Sequence, residues 1–87
     1  MTRLRLTTGV RLVYDDVRCE QLLLVPEGIV RLNSSAAEVL ALCDGTRSLD
    51  EIIDALAAHY DASDLRNDVR SLINAMTERG IVIDAAA

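Results

Sequence analysis

Val25-Pro26-Glu27-Gly28-Ile29-Val30-Arg31-Leu32-Asn33-Ser34-Ser35-Ala36-Ala37-Glu38-Val39-Leu40-Ala41-Leu42-Cys43-Asp44-Gly45 reads as a turn, a short apolar strand, a capped helix and a glycine stop. Pro26 presets its own φ and Gly28 tolerates a positive one, which makes Pro26-Glu27-Gly28 a tight turn. The strand Gly28 to Leu32 therefore has a hairpin on one side and a helix directly after it. Its outer edge is expected to stay open, and an open strand edge is a docking site for an extended peptide.

Upstream, Val10-Arg11-Leu12-Val13-Tyr14 alternates, with Val10, Leu12 and Tyr14 on one face, and Gln21 to Val25 is an apolar run short enough for a central strand. Three such strands in succession form an antiparallel meander whose third member lies at an edge. Downstream, Ser35 and Glu38 fit a capping box, and Ser48 and Glu51 repeat it. Asp44-Gly45 is expected to close the first helix through a left-handed glycine. Leu49, Ile52, Ile53, Leu56 and Tyr60 form the stripe of a second helix, and Leu65, Val69, Leu72, Ile73 and Met76 that of a third. Ser63 is the expected N-cap of this third helix and Gly80 its stop, with Ile81-Val82-Ile83 a short extended tail. The first helix is apolar nearly all round. It is either sandwiched between sheet and helices or the wall of a groove, and the two readings are compatible.

The 87 residues suffice for one domain, residues 1–87. The net charge is −5, without a lysine. Residues 1–32 hold five Arg against four acids, and residues 33–87 four Arg against ten. Phosphate backbones repel such a domain, so nucleic acid is not an expected partner. No apolar run reaches the roughly 20 residues of a membrane span, and a soluble cytoplasmic protein is expected.

Chemistry-bearing patterns are missing. Cys19 and Cys43 lack CxxC spacing, and the single histidine, His59, has no ligand-spaced neighbours, so no metal is expected. The glycines at 9, 28, 45 and 80 are isolated and form no phosphate loop. Asp15-Asp16 suits a turn, and Asp50-Glu51 suits a helix start. No catalytic residue and no cofactor is assigned.

Pro26-Glu27-Gly28-Ile29-Val30-Arg31-Leu32-Asn33, Ala36-Ala37-Glu38-Val39-Leu40, Leu42-Cys43-Asp44-Gly45, Ser48, Ile52-Ile53 and Glu78-Arg79-Gly80 together resemble the PqqD family of pyrroloquinoline quinone biosynthesis proteins, and Gly9-Val10-Arg11-Leu12 fits the same pattern. The resemblance implies an α+β, winged-helix-like fold, with a three-stranded antiparallel N-terminal sheet followed by a three-helix bundle. It implies a peptide chaperone that binds the precursor PqqA as an added strand and presents it to the radical-SAM enzyme PqqE. Carried onto this chain, the receiving strand is Ile29, Val30, Arg31 and Leu32. The facing helix supplies Val69, Leu72, Ile73 and Met76, with Arg66 and Arg70 near the rim. Core packing is the competing reading for the four apolar helix residues, and Met76 is the preferred groove residue because a flexible thioether adapts to varied ligands. Proline at Val30 would weaken binding if that N–H faces outward.

Related domains serve other ribosomally made, modified peptides, which leaves the pathway open. A winged-helix DNA-binding protein is the rival class. The helix over residues 64–79 argues against it, because Asp64, Asp68 and Glu78 balance Arg66, Arg70 and Arg79. Self-pairing of the open strand would give a homodimer on the same surface.

Overall fold

A two-residue loop, Pro26-Glu27, joins the apolar run of one strand to the strand that follows it, and this hairpin organises the sheet. The computed structural model describes residues 2–60 and 64–85. In it β1 (Leu4–Leu6) precedes β2 (Arg11–Asp15), β3 (Glu20–Val25) and β4 (Gly28–Leu32); α1 (Ser34–Ala41), α2 (Leu49–Ala57), α3 (Leu65–Glu78) and β5 (Val82–Asp84) follow. The fold is α+β, with three helices and two antiparallel sheets among the described residues. One sheet has the order β2-β3-β4 and the other pairs β1 with β5.

Register explains which side of the larger sheet is buried. Leu12, Leu23 and Val30 stand opposite one another across the three strands. Leu23 is fully buried, and Leu12 and Val30 pack against the core. One residue along, Val13, Leu22 and Arg31 align on the other face, where side chains point away from the helices. α1 lies against all three strands, and its Ala37, Val39 and Leu40 are buried. Ile52, Ile53 and Leu56 of α2 and Val69, Ile73 and Met76 of α3 complete the core with Leu4, Ile81 and Val82.

Two helix ends differ from the sequence expectation. The N-cap of α1 is Asn33, not Ser35: Asn33 Oδ1 accepts from the Ala36 N–H at 2.8 Å. Asn is as good a cap as Ser, and here it sits where the strand ends. The C-terminus of α1 comes at Ala41, ahead of Asp44-Gly45, with Leu42 as C-cap. Gly45, at φ +89°, instead donates to the Leu4 carbonyl at 2.8 Å and ties this loop to β1. Two further expected ends hold. Ser48 and Glu51 form a reciprocal capping box at α2. At the end of α3, the Gly80 N–H donates to Thr77 O and the Ile81 N–H to Met76 O, a Schellman closure that requires the left-handed φ of +75° at Gly80. The expected cap Ser63 lies outside the described residues; the N-cap of α3 is Asp64, whose side chain makes no cap hydrogen bond.

The tail of the sequence is a strand. β5 pairs with β1 through Leu4↔Asp84, Arg5↔Ile83 and Leu6↔Val82. On its other side β1 bonds to the α1–α2 loop: the Leu4 N–H donates to Arg47 O at 2.9 Å, and Arg5 forms a bridge with Asp44. Both edges of β1 are thus occupied.

Candidate functional site

β4 pairs with β3 on one side, and among the described residues no strand pairs with the other. The hairpin fixes which groups are free there. Val25 and Gly28 flank the two-residue loop and face each other, so they form the hydrogen-bonded pair that closes it. Antiparallel pairs alternate between hydrogen-bonded and non-hydrogen-bonded. Val30 and Leu32 therefore bond to β3, and Ile29 and Arg31 turn their N–H and C=O groups to the open edge. The Val30 N–H faces inward, and proline there would damage the sheet rather than the edge.

The four strand residues divide accordingly. Val30 and Leu32 are half-buried against the core. Ile29 is 65% exposed. Arg31 projects into solvent, with its Nε 3.8 Å from Glu20 Oε2 on β3. This is a diagonal cross-strand pair on the outer face, too long for a hydrogen bond, between an exposed guanidinium and a carboxylate oxygen that is shielded from solvent.

Where β4 ends, a cleft begins. It has a volume of about 590 Å³, in the range of binding clefts. Asn33, Ser35, Ala36 and Val39 of the α1 segment form one wall. Asp64, Leu65, Asp68, Val69 and Leu72 of α3 form the other, with Leu56 and Tyr60 at one end. α1 thus has both roles that its sequence allowed, since Ala37, Val39 and Leu40 are buried while Val39, together with Ala36, also lines the cleft. The Tyr60 hydroxyl donates to Glu38 Oε2 at 2.6 Å and links the end of α2 to α1. Hydrogen bonding to Glu38, aided by desolvation and that carboxylate's charge, raises the Tyr60 pKa, so the phenol stays protonated at neutral pH.

The expected α3 residues do not share one environment. Leu72 lines the cleft half-buried, and Val69 lines it from the core, where it is almost fully buried. Ile73 and Met76 sit in the hydrophobic core and do not line the cleft. Arg66 is bonded to Asp50 of α2 at 2.9 Å, Arg70 is exposed, and neither lines the cleft. Leu65, Asp64, Asp68, Tyr60 and the α1 residues were not singled out as site residues from the sequence. The signal for Leu65 was present, one turn ahead of Val69 and two ahead of Leu72.

Neither thiol is placed for chemistry. Cys43 is buried, donates to Val39 O, and has its pKa pushed up to about 11 by burial and, less, by the charge of Asp44. Cys19 is exposed in the β2–β3 turn at φ 54°. Among the described residues no group of three His, Cys, Asp or Glu side chains is close enough to hold a metal ion, and no helix is long and apolar enough to cross a membrane.

The model of the family described as coenzyme PQQ synthesis protein D (PqqD) matches residues 20–82, from the start of β3 into β5. The chain belongs to the PqqD family. A PqqA binding protein of Methylococcus capsulatus is 35% identical over 86 residues, spanning 99% of this chain and 92% of the relative. Another PqqA binding protein, from Xanthomonas oryzae pv. oryzae, is 40% identical over 79 residues, 88% of this chain and 86% of the relative. The solution structure of the PqqD truncation of Methylobacterium extorquens PqqCD, a stand-alone RiPP recognition element, aligns with a TM-score of 0.74 at 29% identity, covering 92% of this chain and 87% of that one. A lasso peptide synthetase B1 complexed with the leader peptide has the same fold, with a TM-score of 0.75 at 21% identity over 93% of this chain and 98% of that one.

Proposed function

We propose that this PqqD-family chain, as one domain over residues 1–87 with a winged-helix-like arrangement, binds a precursor peptide of the PqqA type by strand addition and presents it to a radical-SAM enzyme of the PqqE type. The chain itself catalyses nothing in this reading. The observation that carries it is the β4 edge, where the outward groups of Ile29 and Arg31 lie on a strand that leads into the α1–α3 cleft. Backbone pairing on that edge supplies affinity, and side chains of the added strand reach the apolar cleft to supply specificity. Val30 and Leu32 hold the strand to the core. Val69 and Leu72 contact the peptide, Ile73 and Met76 belong to the core and not to the cleft, and Arg66 and Arg70 stand outside it. The names of the relatives and the recognition-element neighbour support the same reading.

Titration of the isotope-labelled chain with the PqqA-type precursor of the same genome tests it. Amide shifts should concentrate at Ile29–Leu32 and at Leu65–Leu72. Shifts confined to β1, β5 or the β2–β3 turn would contradict the site. Pairing of β4 between two copies would occupy the same edge, so added precursor should drive any homodimer toward the monomer in sedimentation. Omitting the chain from a PqqE crosslinking assay should slow modification of the precursor, and an unchanged rate would refute presentation.

A further inference from the structure

The charged lining of the cleft is acidic, and the arginines expected near its rim are not part of it. Among the described residues that line it, the charged ones are Asp64 and Asp68, both on α3. They are four residues apart and so share one helix face, where like charges repel. Among the described residues neither has an ion-pair partner. The nearest arginines in sequence do not compensate them, since Arg66 is bonded to Asp50 and Arg70 does not line the cleft. A third carboxylate, Glu38, stands at the Tyr60 end and holds that hydroxyl. The rest of the α3 wall, Leu65, Val69 and Leu72, is apolar.

We propose that the α1–α3 cleft takes a peptide segment in which a lysine or arginine accompanies an apolar side chain, the cation lying between Asp64 and Asp68 and the apolar group against Leu65, Val69 and Leu72. This rests on the peptide-binding reading given above and adds the chemical class of the residue selected. Asp64 and Asp68 are exposed, so their attraction for the cation is modest and is screened by salt. An acidic residue at the same place would meet two like charges without a compensating cation, so the cleft discriminates by sign.

The test is calorimetry at low salt with the synthetic PqqA-type precursor of the same genome, and with versions in which each lysine or arginine is replaced in turn by norleucine. Asp64→Asn together with Asp68→Asn should weaken binding about fivefold, and the loss should shrink at high salt. One norleucine peptide should show the same loss against the native chain and no further loss against the double variant, the non-additivity expected of a contacting pair. Both positions are exposed, so a circular dichroism melt serves to confirm that the variant is folded. Equal affinity of native and double-variant chains, or of all norleucine peptides, overturns the cation subsite while leaving peptide binding intact. A precursor that binds neither chain overturns the reading of the site itself, and the subsite with it.

Discussion

The two edges of the β2-β3-β4 sheet are alike in backbone and different in surroundings. Both β2 and β4 have five residues, both pair with β3, and among the described residues neither has a strand on its other side. β2 runs into a four-residue turn in which Asp15 Oδ1 accepts from the Val17 and Arg18 N–H groups, with open surface around it. β4 runs into Asn33, which caps α1 and at the same time lines the cleft. An unpaired edge alone is a liability that invites any strand. An unpaired edge that leads into an apolar cleft gives a register to the strand that pairs with it. The account therefore assigns binding to β4 and makes β2 its internal control.

The largest effect is expected at the outward N–H of Arg31. Arg31→Pro removes that donor and places a ring on the open edge, where an edge strand tolerates it. Precursor affinity should fall at least about tenfold, from the lost hydrogen bond and the obstruction together. Arg31→Gln, which keeps the N–H, should cost much less. Equal losses by calorimetry would mean that the side chain, not the edge, carries binding. A smaller loss, about threefold to tenfold, is expected for Leu72→Ala, which removes buried methyl groups from the bound peptide's wall. The matched change on the other edge, Val13→Thr, should leave affinity unchanged. If it weakens binding as much as Leu72→Ala does, the two edges are not distinguished as argued.

Ser48→Ala is expected to act on stability alone. It removes the α2 capping box, costs about 1 kcal/mol and lowers Tm by about 4–8 °C for a domain of this size, while affinity per folded molecule stays constant. A change in affinity would couple the α2 cap to the edge. The smallest effect is on pH dependence. Hydrogen bonding from the Ser48 N–H, then from its side chain, holds the Glu51 carboxyl below its usual value of 4.5. A depressed folded pKa stabilises the fold above the unfolded value, and that contribution is lost as pH falls through the folded one. Glu51→Gln should therefore flatten the acid limb of a Tm-against-pH curve below about pH 4.5 and leave the neutral region nearly parallel to the native curve. An unchanged acid limb would remove Glu51 from the acid response.

Local signals decided what could be read from the sequence. The hairpin at Pro26-Glu27, the edge strand after it, the Ser48–Glu51 box and the Gly80 stop are each written in a few adjacent residues. All four are seen in the structure. The pairing of Leu4–Leu6 with Val82–Asp84 joins segments about 75 residues apart, and two three-residue strands leave no periodicity to detect. The pattern Ser35-x-x-Glu38 matched a capping box, yet Asn33 takes the cap because the strand already ends there, and Glu38 serves Tyr60 instead.

The cleft was legible only in part. The α3 stripe identified the buried face, but Ile73 and Met76, which are core alone, share one periodicity with Val69, which is core and cleft, and with Leu72, which is half-buried in the cleft. Only the packing of α1 and α2 separates them. Arg66 is placed near the rim by the family resemblance, and its bond to Asp50, 16 residues away on another helix, has no local signal in the sequence.

Amide hydrogen exchange at Ile29 and Arg31, compared with the amides of β2, tests the central claim most directly. Saturating PqqA-type precursor should slow exchange at Ile29 and Arg31 and leave β2 as it was. Exchange at Ile29 and Arg31 that stays fast in the complex, or protection that arises along β2 instead, would contradict it.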